Sequence, residues 1–383
     1  MRAMPEELTL FDIGPTTPGS ILRRLLDDKG WTQEELAAIT GRSRQAINEL
    51  ISGKTGITPE MALALAAAFD NSATDWMKWD AAYRLSLTKE DTREVRLKAR
   101  LYETAPVRDM QRRGWIKQTK ELVELETELK KFFGTESLDE DFTFPVSAQR
   151  SERLGHLNPA ERAWVFRARQ LAAALPISDS FGAKRLDAAE RELRTLAAYP
   201  QEAKRVPELL ARFGIRLVIV EPLPGAEIDG ASFWLDHSSP AIAVTLRYDR
   251  MDGFWFTLMH ELSHVRNRDP LSVDRDLVGT NAGEILLIEE HEKRANEEAA
   301  AALIPQHEID SFIRRVGPLY SKVRIVQFAH RMKIHPAIIV GQLQHRGEIK
   351  FSHHHQLLAK VRNFITLSAL TDGWGRTTGT EVT

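Results

Sequence analysis

Within FTLMHELSHVR, Phe256 to Arg266, two histidines stand four residues apart and a glutamate follows the first. On a helix, side chains at i and i+4 lie one turn apart and point the same way, so the imidazoles of His260 and His264 can converge. Both can then reach one Zn2+ at about 2.0–2.1 Å. Glu261 is turned aside by one residue, too far round to ligate easily. It stands where a carboxylate takes a proton from a water that the metal polarises. The chemistry that suits such a trio is hydrolysis. Three fixed residues are a weak signal alone, because a catalytic zinc also needs a third protein ligand and an open position.

The elements that must position the trio are legible on either side. RYDRMDGFWFTLMHELSHVRNR has helical periodicity, with Trp255, Leu258, Leu262 and Val265 on a core face and Phe256, His260 and His264 on a neighbouring stripe. Upstream the pattern is extended. IRLVIVEPLPG is a β-branched run stopped by Pro222 and Pro224, and GASFWLD and PAIAVTL are separated by HSSP. A small three-stranded sheet is expected, its last two strands antiparallel. Downstream, EEHEKRANEEAAAALIP predicts a helix with Ile288, Glu292, Ala295, Ala299 and Leu303 on one stripe. The alanines permit close approach to another helix, and Glu292 is the carboxylate on that stripe. Glu289, one turn earlier, and His291, rotated to the side, are the alternative third ligands. Glu297 and Glu298 read as solvated. His335, His345 and the histidines at 353–355 have no spacing to a carboxylate helix and read as surface or capping residues.

A second constellation lies near the start. PGSILRRLLDDKG places Ile21, Leu22, Leu25 and Leu26 at helical spacing before Gly30. Thr32 then caps a helix and Glu35 completes a capping box. Gly41 makes a tight turn, Ser43 caps the next helix, and Gly53 follows it. Ala37, Ile47 and Leu50 hold the pair together. Two short helices across a glycine turn make a helix-turn-helix. Arg44 and Gln45 open the second helix, where Arg can pair with guanine and Gln with adenine, and Asn48 lies a turn further along. Gln33, Arg42, Ser43 and Lys54 are placed to hold phosphates. The bland reading is a helical bundle with a solvated polar face.

The formal net charge of −2 rules out a whole-molecule field drawing the chain to nucleic acid, so any DNA contact is local. The absence of cysteine excludes disulfides and thiolate metal sites and fits a reducing compartment. The first residues lack the apolar stretch of a signal peptide, and no apolar run approaches the roughly 18 residues that span a bilayer. A cytoplasmic protein with no membrane contact is expected. Residues 86–115 lean basic and read as a solvated helix face, with extra DNA-backbone contact as the alternative. KELVELETELKKFFG reads as a helix that could dimerise, and GTESLDEDFTFPVSAQR as a loop. Further helices are expected over 158–175 and 185–198. The closing TDGWGRTTGTEVT reads as a frayed tail.

Two family resemblances follow from these stretches. Residues 1–85, above all SRQAINELISGKTGITPEMALALAAAF, resemble HigA-type antitoxins of the Xre helix-turn-helix family. This implies a five-helix domain, a homodimer on a palindromic operator, and base reading by Arg44 and Gln45. Residues 205–350 resemble ImmA/IrrE metallopeptidases through the short sheet, HELSH, and the sequence Glu292, Ala295, Asn296, Leu303, Pro305. This implies zinc held by His260, His264 and Glu292, with Glu261 as general base, and a protein substrate such as a repressor. Arg294 stands where that family often has a second acid, and Glu298 where it usually has an aromatic.

The expected architecture is mainly α with a small β-sheet (α+β). A five-helix domain (1–85) precedes a helical connector that could dimerise (86–200). A zincin-like domain (201–350) and a C-terminal helix and tail (351–383) follow. The expected function is a DNA-binding regulator with a zinc-dependent endopeptidase that cleaves a regulatory protein. The alternative is a non-catalytic antitoxin or repressor whose zinc domain senses a signal or docks a toxin.

Overall fold

The computed structural model of the chain describes residues 17–88, 92–138, 157–269, 271–275 and 290–373. Ile288 and Glu289, most of the 134–150 loop and the first sixteen residues lie outside the described residues. The chain divides into two compact units, Met1–Arg93 and Glu94–Thr383.

In the first unit, α1 (Pro18–Lys29), α2 (Gln33–Thr40), α3 (Arg44–Ile51), α4 (Pro59–Phe69) and α5 (Ala73–Leu87) follow their punctuation closely. Thr17, Thr32, Ser43, Thr58 and Ser72 each cap a helix by accepting a backbone N–H. Thr32 and Glu35 form the reciprocal capping box. Gly41 takes φ 65, the left-handed conformation that the turn between α2 and α3 requires. Leu22, Leu36, Ile47, Leu65 and Trp76 form one buried core. α1 meets α3 at Gly19, where an added Cβ would lie 2.2 Å from the Ile51 carbonyl oxygen. Gly19→Ala is therefore expected to push α1 off α3. The cost is at least about 1–3 kcal/mol to the first unit, as for other overpacked contacts. Faster hydrogen exchange at the Leu22 and Ile47 amides, with the second unit unchanged, would register it.

The second unit is α+β. Its helices before the sheet are α6 (Arg93–Thr104), α7 (Val107–Arg112), α8 (Leu122–Phe133), α9 (Pro159–Ala174), α10 (Leu186–Leu196) and α11 (Val206–Arg212). The strands are β1 (Arg216–Val220), β2 (Ile228–Trp234), β3 (Pro240–Val244), β4 (Ser272–Arg275) and β5 (Leu370–Asp372), in the order β4-β2-β3-β1-β5. As expected, β2 and β3 are antiparallel. The expected three strands are joined by two more: β4 runs antiparallel to β2, and β5 runs parallel to β1. Thr371 and Asp372, read as the start of a tail, belong to β5. They are buried, and the Asp372 carboxylate pairs with Arg167.

Alternation along β1 decides the layering. Leu217 and Ile219 face a core shared with α12 (Met251–Asn267), whereas Val218 and Val220 face α9. Trp164 of α9 donates its indole N–H to the Val220 carbonyl at 3.0 Å. The stripe of α8 is spent in this same core: Leu125, Leu129, Phe132 and Phe133 are buried within the chain. It is thus no free dimerisation face. After α12 and β4 come α13 (Glu290–Leu303), α14 (Gln306–Val316), α15 (Lys322–Met332), α16 (Pro336–His345) and α17 (Arg362–Ile365). Ala295, Ala299 and Leu303 of α13 are fully buried, and the small residues let α13 lie close along α12. Among the described residues no helix is long and apolar enough to cross a membrane.

Candidate functional site

α12 and α13 bring the expected trio of ligands together. His260 and His264 are buried, with their Nε2 atoms 3.0 Å apart. Glu292 Oε2 lies 3.2 Å from the first and 3.4 Å from the second. His291 stays beside the cluster, its Nε2 3.0 Å from the other oxygen of Glu292. A fourth group also converges, and the sequence reading missed it. Asp274 of β4 is buried, with Oδ2 3.4 Å from His260 Nε2 and 4.0 Å from His264 Nε2. The signal was faint: polar Ser272 and Asp274 alternate with Val273, so a four-residue strand turns its polar side inward.

The outer hydrogen bonds fix how the imidazoles present themselves. His260 Nδ1 faces Asn296 Oδ1 at 3.0 Å, and His264 Nδ1 faces Asp269 Oδ2 at 2.9 Å. Both partners accept, so both Nδ1 atoms carry the proton and both Nε2 atoms present lone pairs. Two lone pairs 3.0 Å apart can only share a proton or a cation. Burial pushes the His260 imidazole down, but the Asp274 and Glu292 carboxylates outweigh it and hold it up at about 10. Burial likewise opposes, and Glu292 and Asp274 overcome it, in raising His264. Glu292 itself is held far below the usual carboxylate range: burial would raise it, and its bonds with His260 and His264 prevail. The set therefore calls for positive charge at the two Nε2 atoms. Two imidazoles with one or two carboxylates fit a divalent cation.

The departures noted in the sequence are accommodated. Arg294 donates to Asp269 at 2.5 Å and so braces the carboxylate behind His264. Glu298 is not the solvated residue expected. It is half-buried and accepts from Ser263 at 2.6 Å, because Ser263 faces α13 across the helix contact. Glu297 is exposed, as expected. His335 does cap a helix, accepting from the Ala337 N–H at 3.1 Å. His345 sits elsewhere, lining an apolar recess of about 60 Å3 with Phe256, Leu303, Ile338 and Phe351. Phe256 connects the two places, its ring 6.3 Å from that of His260.

Glu261 is fully buried on a different side of α12 from the ligand stripe. An added Cβ at Gly230 of β2 would lie 2.4 Å from its Oε1, so the glycine leaves room for this carboxylate. Neither oxygen of Glu261 has a hydrogen-bond partner among the described residues. Burial first, and then the charge of Asp274, push its carboxyl well above the ordinary value.

In the first unit the polar groups expected to meet DNA share an accessible surface. Arg42, Ser43, Arg44, Gln45, Asn48 and Lys54 are exposed and Gln33 is half-buried. Arg44 pairs with Glu34 at 2.8 Å and Gln45 with Glu49 at 2.9 Å. An exposed ion pair is worth about 0–1 kcal/mol, less than the roughly 1–3 kcal/mol of a bidentate contact to a base. Guanine can therefore take Arg44 from Glu34. Ser43 accepts from the Ala46 N–H at 3.1 Å, and its own hydroxyl proton remains available to a phosphate.

The comparisons with known proteins bear on this unit. Residues 22–76 match the helix-turn-helix family. Virulence-associated protein A' of Dichelobacter nodosus is 38% identical over 77 residues, 20% of this chain and 67% of that protein. Virulence-associated protein I of the same organism is 32% identical over 81 residues, 21% of this chain and 75% of that protein. The matched segment runs from within α1 to the first turn of α5 and includes the α2–α3 pair with its exposed polar face, a DNA-binding regulator's apparatus, and through it the chain belongs to the helix-turn-helix family.

Proposed function

We propose that the chain is an operator-binding regulator, HigA-like over residues 1–85. Its second unit is a zinc-dependent endopeptidase of ImmA/IrrE type that cleaves a regulatory protein, a repressor or a toxin. The observation that carries the enzyme reading is the pair of opposed Nε2 lone pairs at 3.0 Å, ringed by carboxylates, with an unpartnered buried Glu261 beside them. Zinc, when bound, supplies Lewis acidity to a carbonyl and makes water acidic enough to attack near neutral pH. His260, His264 and Glu292 would hold it, kept in orientation by Asn296, Asp269 and Ser272. Glu261, buried beside the ligands, would take a proton from the water and return it to the leaving amine. The recess at Phe256 suits an apolar side chain of the substrate. The test is to incubate the zinc-loaded full chain with the products of neighbouring genes and to identify fragments by mass spectrometry. Intact partners throughout, with the unaltered chain and with Asp274→Ala alike, would remove the enzyme reading.

A second reading, a non-catalytic antitoxin or repressor whose metal site senses a signal or docks a partner, draws support from Asp274. A fourth donor is typical of structural sites.

For the first unit, a homodimer on a palindromic operator would set two α3 helices about one turn of DNA apart. Arg44→Ala is expected to weaken operator binding by about 1–3 kcal/mol and relax specificity at one base position per half-site. Footprinting against a scrambled sequence checks this. Equal affinity for both by the unaltered chain would point to charge attraction alone.

A further inference from the structure

We propose that Asp274 is a fourth protein ligand to the metal, so that the site described here is closed, and that β4 is a built-in strand holding the peptidase latent. This rests on the zinc-site reading above.

Donor spacing supports four-coordination. A tetrahedral ion with ligands at 2.0–2.1 Å sets its donors about 3.3–3.4 Å from one another. Five of the six separations among His260, His264, Glu292 and Asp274 are 3.0, 3.2, 3.4, 3.4 and 4.0 Å, and all four donors lie within 4.8 Å of one another. Those involving Asp274 are 3.4 and 4.0 Å, so it belongs to the same polyhedron.

The carboxylates are also prepared for one ligand bond each. Ser272 Oγ lies 2.9 Å from Glu292 Oε1 and 3.3 Å from Asp274 Oδ1. Its one hydroxyl proton lies nearer the outer oxygen of Glu292, and Glu292 Oε2 and Asp274 Oδ2 face the histidines. Asp274 Oδ2 is buried without a hydrogen-bond partner among the described residues. A carboxylate oxygen facing two nitrogen lone pairs in a dry site is unfavourable unless a proton or a metal cation lies between them.

The backbone places Asp274 there by sheet pairing. β4 runs antiparallel along the outer edge of β2, matching Ser272 with Ser232, Val273 with Ala231 and Asp274 with Gly230. The register then shifts between Gly230 and Ile228, an irregularity of the kind that re-aims a side chain. A sheet edge beside a hydrolytic centre is where an extended peptide would add as a strand. β4 fills that edge and puts a carboxylate beside the ion, where a water or a substrate carbonyl would need to be. It also sets Asp274 against Glu261, so the base faces a carboxylate.

The test uses the full chain loaded with Co2+, whose visible spectrum reports coordination, and acetohydroxamate, which binds metals with an open position. Unaltered protein should give a four-coordinate spectrum that hydroxamate does not change. Asp274→Ala should bind Co2+ at least about 10–100-fold more weakly, since the loss of even an outer hydrogen-bonding partner of a ligand has that effect. Its spectrum should shift on adding hydroxamate, and any peptide cleavage should rise. Removing one of three clustered carboxylates relieves repulsion in the metal-free protein. Asp274→Asn, which keeps the shape, gives a second reading should the alanine variant fold poorly. A hydroxamate shift in unaltered protein equal to that of the variants, or Co2+ affinity unchanged in both, would overturn the fourth ligand while leaving a metal site in place. Failure of the unaltered chain to bind Co2+ would overturn it together with the zinc reading.

Discussion

Replacing His260 and His264 together with alanine is expected to leave the purified protein without zinc, the content falling from the proposed one ion per chain to below about a tenth. The size of the effect follows from what remains. The two Nε2 atoms are 3.0 Å apart at the centre of the cluster, and their loss leaves Glu292 and Asp274 with no nitrogen donor between them. Asp269 and Asn296, which orient the imidazoles, lose their purpose at the same time. Two carboxylates alone suit a hard, oxygen-seeking cation better than zinc. The same change empties a buried volume in α12, at a cost of a few kcal/mol to the second unit. The first unit has its own core, so operator affinity should be unchanged. Elemental analysis after a chelator wash, paired with DNA-binding anisotropy, measures both. Zinc at full occupancy in the double variant would remove these histidines from the site.

Glu261→Gln is expected to do the reverse, keeping the metal and abolishing turnover. Glu261 shares a helix with the ligands but points to a different side, against Gly230. Glutamine fills the same space, and an uncharged amide is cheaper to bury there than a carboxylate. Zinc content and operator binding should stay within error of the unaltered chain. Cleavage should fall by at least ~10², the usual contribution of a positioned base. Because Asp274→Ala is expected to raise turnover, the comparison is best made in that background as well. Equal fragment yields with and without Glu261 would sink its assigned role.

These two residues also mark how far the sequence could be read. His260, Glu261 and His264 lie within one and a half turns of a single helix, so local geometry fixes their relation before any tertiary contact forms. The stripe of Glu292, Ala295, Ala299 and Leu303 was legible for the same reason, and so were the caps at Thr32 and Ser43. Asp274 was not. Its place depends on β4 finding the edge of β2 and on a register shift there, both non-local events in a strand of four residues. Glu298 misled because charge alone suggests solvent, whereas its partner Ser263 lies 35 positions earlier. β5 was missed because three residues carry no usable period. The stripe of α8 read as a free face because the sequence does not say that α9 and the sheet come to cover it.

β5 has a consequence for the order in which the chain becomes competent during synthesis. The five helices that make up the first core are complete by Leu87, and every strand of the sheet pairs far downstream of that point. β1 receives β5 only when Leu370–Asp372 has been made, some 150 positions later (Val218 pairs with Leu370). Units generally fold in the order in which they emerge. A nascent chain can therefore present a finished helix-turn-helix domain while its second unit still lacks an edge strand. Translation halted anywhere between Thr88 and Ala369 would leave a DNA-binding fragment without a finished second unit.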